Sequence, residues 1–167
     1  MIALKLKNIK SCMSHLLLLE TFDSFLFIEG EIVTFNIFQI NGLVQKDFYT
    51  SEEQENMDSL PEYSYWKQIR EYCFSIIKGK KTPLSFKFIF RLSPKNIEKL
   101  ISQNNLDFLP SDVQGLYLNI RYDSLGLQCI TGTSLKTFSM DKSLEQTWDS
   151  MVQKFFHQKG IEFDLLS

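Results

Sequence analysis

The chain has 167 residues, of which 44% are hydrophobic, and its 18 basic and 20 acidic residues give a net charge of −2. A chain of this length buries roughly two thirds of its unfolded surface, so we expect a real core, rich in phenylalanine. With only 7 glycines and 4 prolines and no biased tract, the composition argues against long linkers or disorder. The near-neutral charge excludes an overall field that attracts nucleic acid or membranes, but not a local basic face.

Cysteine usage bears on cofactors and on the cell compartment. Cys12, Cys73 and Cys129 are isolated and odd in number, which predicts neither a disulfide framework nor a zinc site and fits a reducing cytoplasm. The longest apolar run, residues 16–19, is too short to span a bilayer, and the N-terminus lacks the pattern of a signal peptide. We therefore expect a cytoplasmic protein without cofactor, metal or membrane contact.

The first fifty residues predict a strand, a helix and a meander. Residues 2–7 alternate apolar and polar side chains as a half-buried strand does, and Asn8 is a suitable cap for the helix that follows. Residues 24–50 then predict three strands, with turns at Glu-Gly-Glu 29–31 and at the Asn-Gly pair 41–42, a strong hairpin signal.

An acidic stretch separates this meander from a second helix. Residues 51–62 carry five carboxylates and no base, and with Pro61 they predict an exposed loop. The apolar spacing then predicts a helix over 63–78, with Gly79 just beyond its end.

The second half has the same predicted order. Phenylalanines alternate along a strand at 86–92, Ser93 caps the next helix and Pro94 takes its first position. A last helix is capped by Asp141 and ended by Gly160, with Ile161 placed as in a Schellman motif. Its apolar stripe is wide enough for either the domain's own sheet or a second subunit to cover it, and the core is the preferred explanation. The strands between these helices are predicted near residues 115–122, 126–132 and 135–140.

These elements predict an α+β fold, one domain built from two βαβββα repeats over residues 1–82 and 83–167. Lys-Asn-Ile at 7–9 recurs as Lys-Asn-Ile at 95–97 on the two short helices. A tandem βαβββ resembles one domain of the DNA sliding clamps, and "GLYLNIRYDSLGLQCITGTSLKTFSM" is similar to the clamp pattern of strand, tight turn and strand. The resemblance implies antiparallel meanders with the short helices side by side, here with an extra long helix ending each repeat.

The full chain also resembles a family of uncharacterised bacterial proteins of about this length. The stretches that carry this resemblance are "MIALK", "LLLLETFDSF", "TFNIF", "NGLVQKDF", "FSIIKGKKTPL", "GLYLNIRYD" and "TGTSLKTFSMDKSLEQTWDSMVQKF". This resemblance supplies no activity and no site residues.

Two groups of lysines are candidate binding residues. If the short helices pair as in a clamp, four cations converge on one face that can contact phosphates without reading sequence. A second cluster within four residues suits an anion, or simply the C-terminal end of a helix. The first group is Lys7, Lys10, Lys95 and Lys99; the second is Lys78, Lys80 and Lys81.

Catalytic chemistry has little support in the sequence. His15 and His157 lie in no recognisable motif, and Thr-Gly-Thr-Ser at 131–134 lacks the lysine and glycine spacing of a phosphate loop. Glu29 and Glu31 flank a glycine but lack a third oxygen ligand for a cation.

The leading hypothesis is a non-enzymatic binding or scaffolding protein that contacts DNA, or the machinery of its replication and repair, through the paired-helix face. The alternative is a protein-interaction module or homodimer without a nucleic-acid role, which uses the last helix or the acidic loop 51–62.

Overall fold

The computed structural model describes residues 1–56 and 61–166. Its strands are β1 (Ala3–Leu6), β2 (Leu26–Val33), β3 (Ile37–Asn41), β4 (Ser85–Arg91), β5 (Val113–Asp123), β6 (Gly126–Leu135) and β7 (Phe163–Leu166). Its α-helices are α1 (Ile9–Leu17), α2 (Ser51–Glu55), α3 (Trp66–Ile77), α4 (Pro94–Gln103) and α5 (Ser143–Gln158). Within these described ranges, no helix combines the length and apolar character that crossing a bilayer requires.

The strands form one antiparallel sheet in the order β3-β2-β4-β5-β6-β1-β7, which confirms the α+β class. Helices α3 and α5 pack on β2 and β6. Apolar side chains cover the sheet face beneath these helices, whereas charged side chains on alternate positions of the same strands reach solvent. The molecule therefore has two layers, and one face of its sheet is open.

Among the described residues, seven phenylalanines are buried in the core, second in number to leucine, so the core is rich in phenylalanine as expected but phenylalanine does not dominate it. Phe86, Phe88 and Phe90 alternate along β4 and all point into the core because successive strand residues face opposite sides. Trp66 has no exposed surface, and its ring lies 5.1 Å from Phe88 and 4.9 Å from Phe90 between centroids. Its indole Nε1 donates a 2.7 Å hydrogen bond to the carbonyl of Leu16, which joins α3 to α1.

The predicted signals at three helix ends are confirmed. The Asn8 side chain accepts from the Ser11 amide at 3.0 Å, and Ser93 caps α4 with Pro94 in its first turn. Beyond α5, Gly160 has a φ of 72°, a conformation that favours glycine. The neighbouring Ile161 amide donates to the Phe156 carbonyl at 2.9 Å, as a Schellman motif requires.

The wide apolar stripe of α5 is covered by the protein's own core. Leu144, Trp148 and Val152 are buried, and the Phe155 ring lies 5.7 Å from that of Phe22. This confirms the preferred explanation, in which the stripe packs against the sheet layer rather than against a second subunit.

The predicted turns of the first meander are wrong. The Glu-Gly-Glu stretch 29–31 lies inside β2, and the chain turns at 34–36 instead. Gly30 occupies an inward position because the Phe88 and Phe27 rings leave no room there: an added Cβ would stand 2.8 Å from the Phe88 ring. Gly42 follows β3 and donates from its amide to the Ile28 carbonyl at 2.8 Å, so residues 24–50 form two strands, not three.

Other elements also differ from prediction. The stretch 135–140 is not a third strand, because β6 ends at Leu135. Asp141 does not cap α5, since the cap is Lys142; Asp141 instead accepts from the Ser143 amide at 2.9 Å. The acidic stretch begins with the short helix α2, and Thr50 and Glu53 form a capping box at the N-terminus of this helix. Residues 57–60 of the predicted loop lie outside the described residues. Strand β7 was not predicted.

The pairing of the strands does not support a tandem repeat. Both halves begin with the order βαββ. However, β4 pairs with β5, the strand that follows its own helix, whereas β1 pairs with β6 and β7 and not with β2. The two-repeat architecture and its clamp-like form remain predictions.

Candidate functional site

A polar groove runs between α4 and α5. Ile97, Leu100 and Ile101 of α4 are buried, which turns the polar side of this helix outward toward α5. No carboxylate is among the described residues that line the groove. These are Asn96, Lys99, Leu100, Gln103, Asn104, Ser143, Gln146, Thr147, Ser150, Met151 and Lys154.

Three lysines give this groove its charge. Lys99 on α4 and Lys154 on α5 line it from opposite helices, and Lys95 stands one turn before Lys99. Like charges at i and i+4 repel each other, and a cation in the first turn opposes the helix dipole. A bound anion would relieve both interactions, while the side-chain amides of the groove can donate hydrogen bonds to it.

The lysines of the predicted face lie in different surroundings in the structure. Lys7 was expected on the first helix, but it precedes the Asn8 cap, and its Nζ lies 3.3 Å from the Asp164 carboxylate on β7. Lys10 is exposed on α1, a helix that packs against α3, whereas Lys99 faces α5. The convergence of Lys10 with Lys95 and Lys99 remains a prediction.

The second predicted cluster lies where α3 ends. Lys78, Lys80 and Lys81 are exposed and line a groove that also contains Phe35 and Leu84. The sequence did not indicate these apolar neighbours, because residue 35 approaches the lysines only through the pairing of β2 with β4.

The cysteine thiols are poor nucleophiles in the folded protein. Burial raises the pKa of Cys12 to about 11 and that of Cys73 to about 12, and it also raises the pKa of Cys129. Because an ordinary thiol has a pKa of 9.0, this burial favours the folded state below that pH. This stabilisation is lost as the pH rises from 9.0 through the higher pKa of the buried thiol.

Several polar side chains hold the fold together. The His15 Nδ1 atom lies 2.7 Å from the Thr21 hydroxyl, which fixes the loop after α1. Arg70 binds both carboxylate oxygens of Asp23, at 2.9 and 3.0 Å, and so connects α3 to this loop. His157 is exposed near the end of α5, with its ring 5.0 Å from that of Phe163.

The open face of the sheet carries a charged row across its strands. The cross-strand partners in this row are Gln39, Glu31, Lys87, Arg121, Gln128, Lys5 and Asp164. Glu31 thus lies opposite Lys87, whereas Glu29 lies opposite Ile89 and Asn41. Across the part of the chain that the structure describes, no three His, Cys, Asp or Glu side chains are grouped as metal ligands.

A second row on the open face is less polar. Ile89 lies opposite Asn119, and Asn119 lies opposite Ile130. All three are half-buried, and among the described residues the Asn119 Oδ1 atom has no hydrogen-bond partner. Sequence reasoning missed this row because register, not alternation within one strand, brings its members together.

Comparisons with known proteins bear on family membership. No curated protein and no solved structure matches the chain. Residues 15–164, almost the whole chain, match a family of unknown function (DUF5721), as the end-to-end resemblance predicted. The chain therefore belongs to this family of unknown function.

Proposed function

We propose that the protein is a non-enzymatic binding protein that contacts the phosphate backbone of DNA through the groove between α4 and α5. The observation that supports this most is the lining of the groove, where Lys99 of α4 and Lys154 of α5 lie among amide and hydroxyl side chains and the described lining residues include no carboxylate. Phosphate oxygens are the acceptors that such donors fit. Lys95, beside the groove, adds a third positive charge.

The chemistry of the groove limits the kind of binding. Among the described residues that line it there is no aromatic side chain and no arginine that could read a base edge. Binding is therefore expected to be independent of sequence and driven by the release of counterions. Three phosphate contacts correspond to a slope of about −3 in a plot of log K against log salt concentration.

Charge reversal in the groove tests this proposal. The double variant Lys99→Glu/Lys154→Glu is expected to weaken binding of labelled duplex DNA at least about tenfold at low salt and to flatten the salt dependence. Fluorescence anisotropy measures both effects, and circular dichroism checks that the exposed substitutions leave the fold intact. The matched control is Lys46→Glu/Lys67→Glu, which reverses two exposed lysines outside the groove.

Equal losses in the two double variants, or no binding by the unchanged protein at low salt, would contradict the proposal. The single variant Lys10→Glu tests separately whether α1 belongs to the binding face. A loss comparable to that of the groove variant would restore the predicted convergence of α1 and α4.

A second candidate function is self-association through the open sheet face. It is favoured by the half-buried Ile89 and Ile130, which lie on either side of an Asn119 oxygen that has no hydrogen-bond partner in the described part of the chain. Suppose that two copies stack their open sheet faces about a two-fold axis parallel to β5. Ile89 of one copy would then contact Ile130 of the other, and Glu31 would contact Lys5. Such isologous contacts are the usual basis of a homodimer.

The dimer hypothesis predicts that a substitution of Ile130 on the open face changes the mass of the protein in solution. Light scattering after size exclusion is expected to give a dimer at micromolar concentration for the unchanged protein and a monomer for Ile130→Arg. The control is Leu125→Arg at the exposed turn between β5 and β6. A monomeric unchanged protein under these conditions would remove this candidate.

A further inference from the structure

A second groove lies at the tip of the β2–β3 hairpin, which we call the tip groove. Its volume is about 500 Å³, within the range of ligand sites. The Leu84 amide donates to the Val33 carbonyl at 2.9 Å, and this bond brings the loop after α3 against the hairpin. The groove is lined by Thr34, Phe35, Ile76, Ile77, Lys78, Gly79, Lys80, Lys81, Thr82 and Leu84.

Large apolar side chains at the tip groove are exposed. Phe35 is 87% exposed and Leu84 is 72% exposed, although the core lies close by. Ile76 and Ile77, at the end of α3, are only partly buried and add to the same apolar surface. Contiguous exposed apolar surface of this kind is typical of an interaction site rather than of an ordinary loop.

The charge at the tip groove has one sign. Lys78, Lys80 and Lys81 surround the apolar surface, and no acidic residue is among the described residues that line it. The fitting ligand is therefore both apolar and anionic. Lysines arranged around an apolar centre have the usual anatomy of a protein interface, a hydrophobic core with a polar rim.

The position of β3 at the edge of the sheet favours a peptide over a lipid surface. In the described sheet β3 is an edge strand, and an edge strand is where an extended chain leading toward Phe35 can add by backbone pairing. Thr34 lines the tip groove, and its hydroxyl is buried without a hydrogen-bond partner among the described residues. By rotating about its Cα–Cβ bond it can donate to a carbonyl of a bound peptide.

We propose that the tip groove binds an acidic segment of a protein partner. An apolar side chain of the segment packs between Phe35 and Leu84, and its carboxylates lie against Lys78, Lys80 and Lys81. This site is separate from the α4–α5 groove, so the proposal does not depend on DNA binding.

The experiment uses a short fluorescein-labelled peptide of alternating aspartate and phenylalanine, titrated with the full chain in anisotropy measurements. Two further peptides carry lysine for aspartate or serine for phenylalanine, and both are expected to bind at least about tenfold more weakly. The protein variant Phe35→Ser is expected to bind the acidic peptide more weakly by the same factor. The double variant Lys80→Glu/Lys81→Glu is expected to weaken binding of the acidic peptide at low salt, and to weaken it by a smaller factor at high salt.

Matched variants make the outcome decisive. Phe138 is 91% exposed and lies outside the tip groove, so Phe138→Ser controls for Phe35→Ser. Lys46→Glu/Lys67→Glu, which reverses two exposed lysines outside both grooves, controls for the charge reversal. The proposal is supported if only the tip-groove variants lose the peptide. It is overturned if both serine variants behave alike, if the three peptides bind equally, or if phosphatidylserine vesicles bind through Phe35 while the acidic peptide does not.

Discussion

Replacing Trp66 with alanine is expected to lower the free energy of unfolding by about 3–5 kcal/mol, as large-to-small core substitutions of this size do. The Trp66 ring has no exposed surface and lies 5.3 Å from the Phe27 ring between centroids, among the other aromatics of the core. The change also leaves the Leu16 carbonyl without the indole donor that joins α1 to α3. The lost ring contacts weaken the packing of α3 on the sheet, and the lost hydrogen bond weakens the contact between α3 and α1.

Urea unfolding followed by circular dichroism measures this change. Tyr72 is the matched control, because it lies on the same helix but is 68% exposed, so Tyr72→Ala is expected to change the free energy by less than about 0.5 kcal/mol. Trp66→Phe keeps an aromatic ring but removes the donor, so a smaller loss of about 1–3 kcal/mol is expected. Equal stability of Trp66→Ala and Tyr72→Ala would mean that Trp66 is not in the core.

Replacing Gly42 with alanine is expected to destabilise the fold by about 3 kcal/mol or more, or to prevent folding, because there is no room for a side chain. An added Cβ would stand 1.8 Å from the Phe27 carbonyl oxygen, well inside van der Waals contact. The backbone cannot move away easily, since the Gly42 amide donates to Ile28 and its carbonyl accepts from Ser64.

Gly132→Ala is the matched control for this prediction. An added Cβ at Gly132 would meet the nearest atom, Tyr117 Cβ, at 3.6 Å, an ordinary contact. Alanine also loses less backbone entropy than glycine on folding, so a neutral or slightly stabilising effect is expected. The comparison uses the midpoints of thermal and urea unfolding of the two variants. If Gly42→Ala were as stable as Gly132→Ala, the chain after β3 would not lie against Phe27.

The same glycine shows where local sequence signals mislead. Asn-Gly at 41–42 predicts a two-residue hairpin turn because both residues tolerate positive φ. In the fold, Gly42 is needed for close approach to the Phe27 backbone, a steric demand set by the neighbouring strand. Similarly, Gly30 suggests a turn, but it sits inside β2 to make room for the Phe88 ring.

The candidate sites were also only partly predictable. Helical spacing placed Lys95 and Lys99 on one side of a helix, since residues four apart lie on the same face. Lys154 is 55 positions beyond Lys99, and nothing local relates it to the same groove. Likewise, the lysines at 78–81 were visible as a cluster, but Phe35 and the Thr34 hydroxyl join them only in the folded chain.

The sequence by itself determined the class of the fold, the helix caps at Asn8 and Ser93, the end of α5 at Gly160 and the inward faces of the strands. These depend on interactions within a few residues, where periodicity and capping chemistry act directly. The tertiary structure decided the strand order β3-β2-β4-β5-β6-β1-β7, the pairing of β1 with β7, and the residues that share each groove. Those features depend on packing between distant segments, where competing pairings have similar local propensities and differ mainly in how well the aromatic core fills its space.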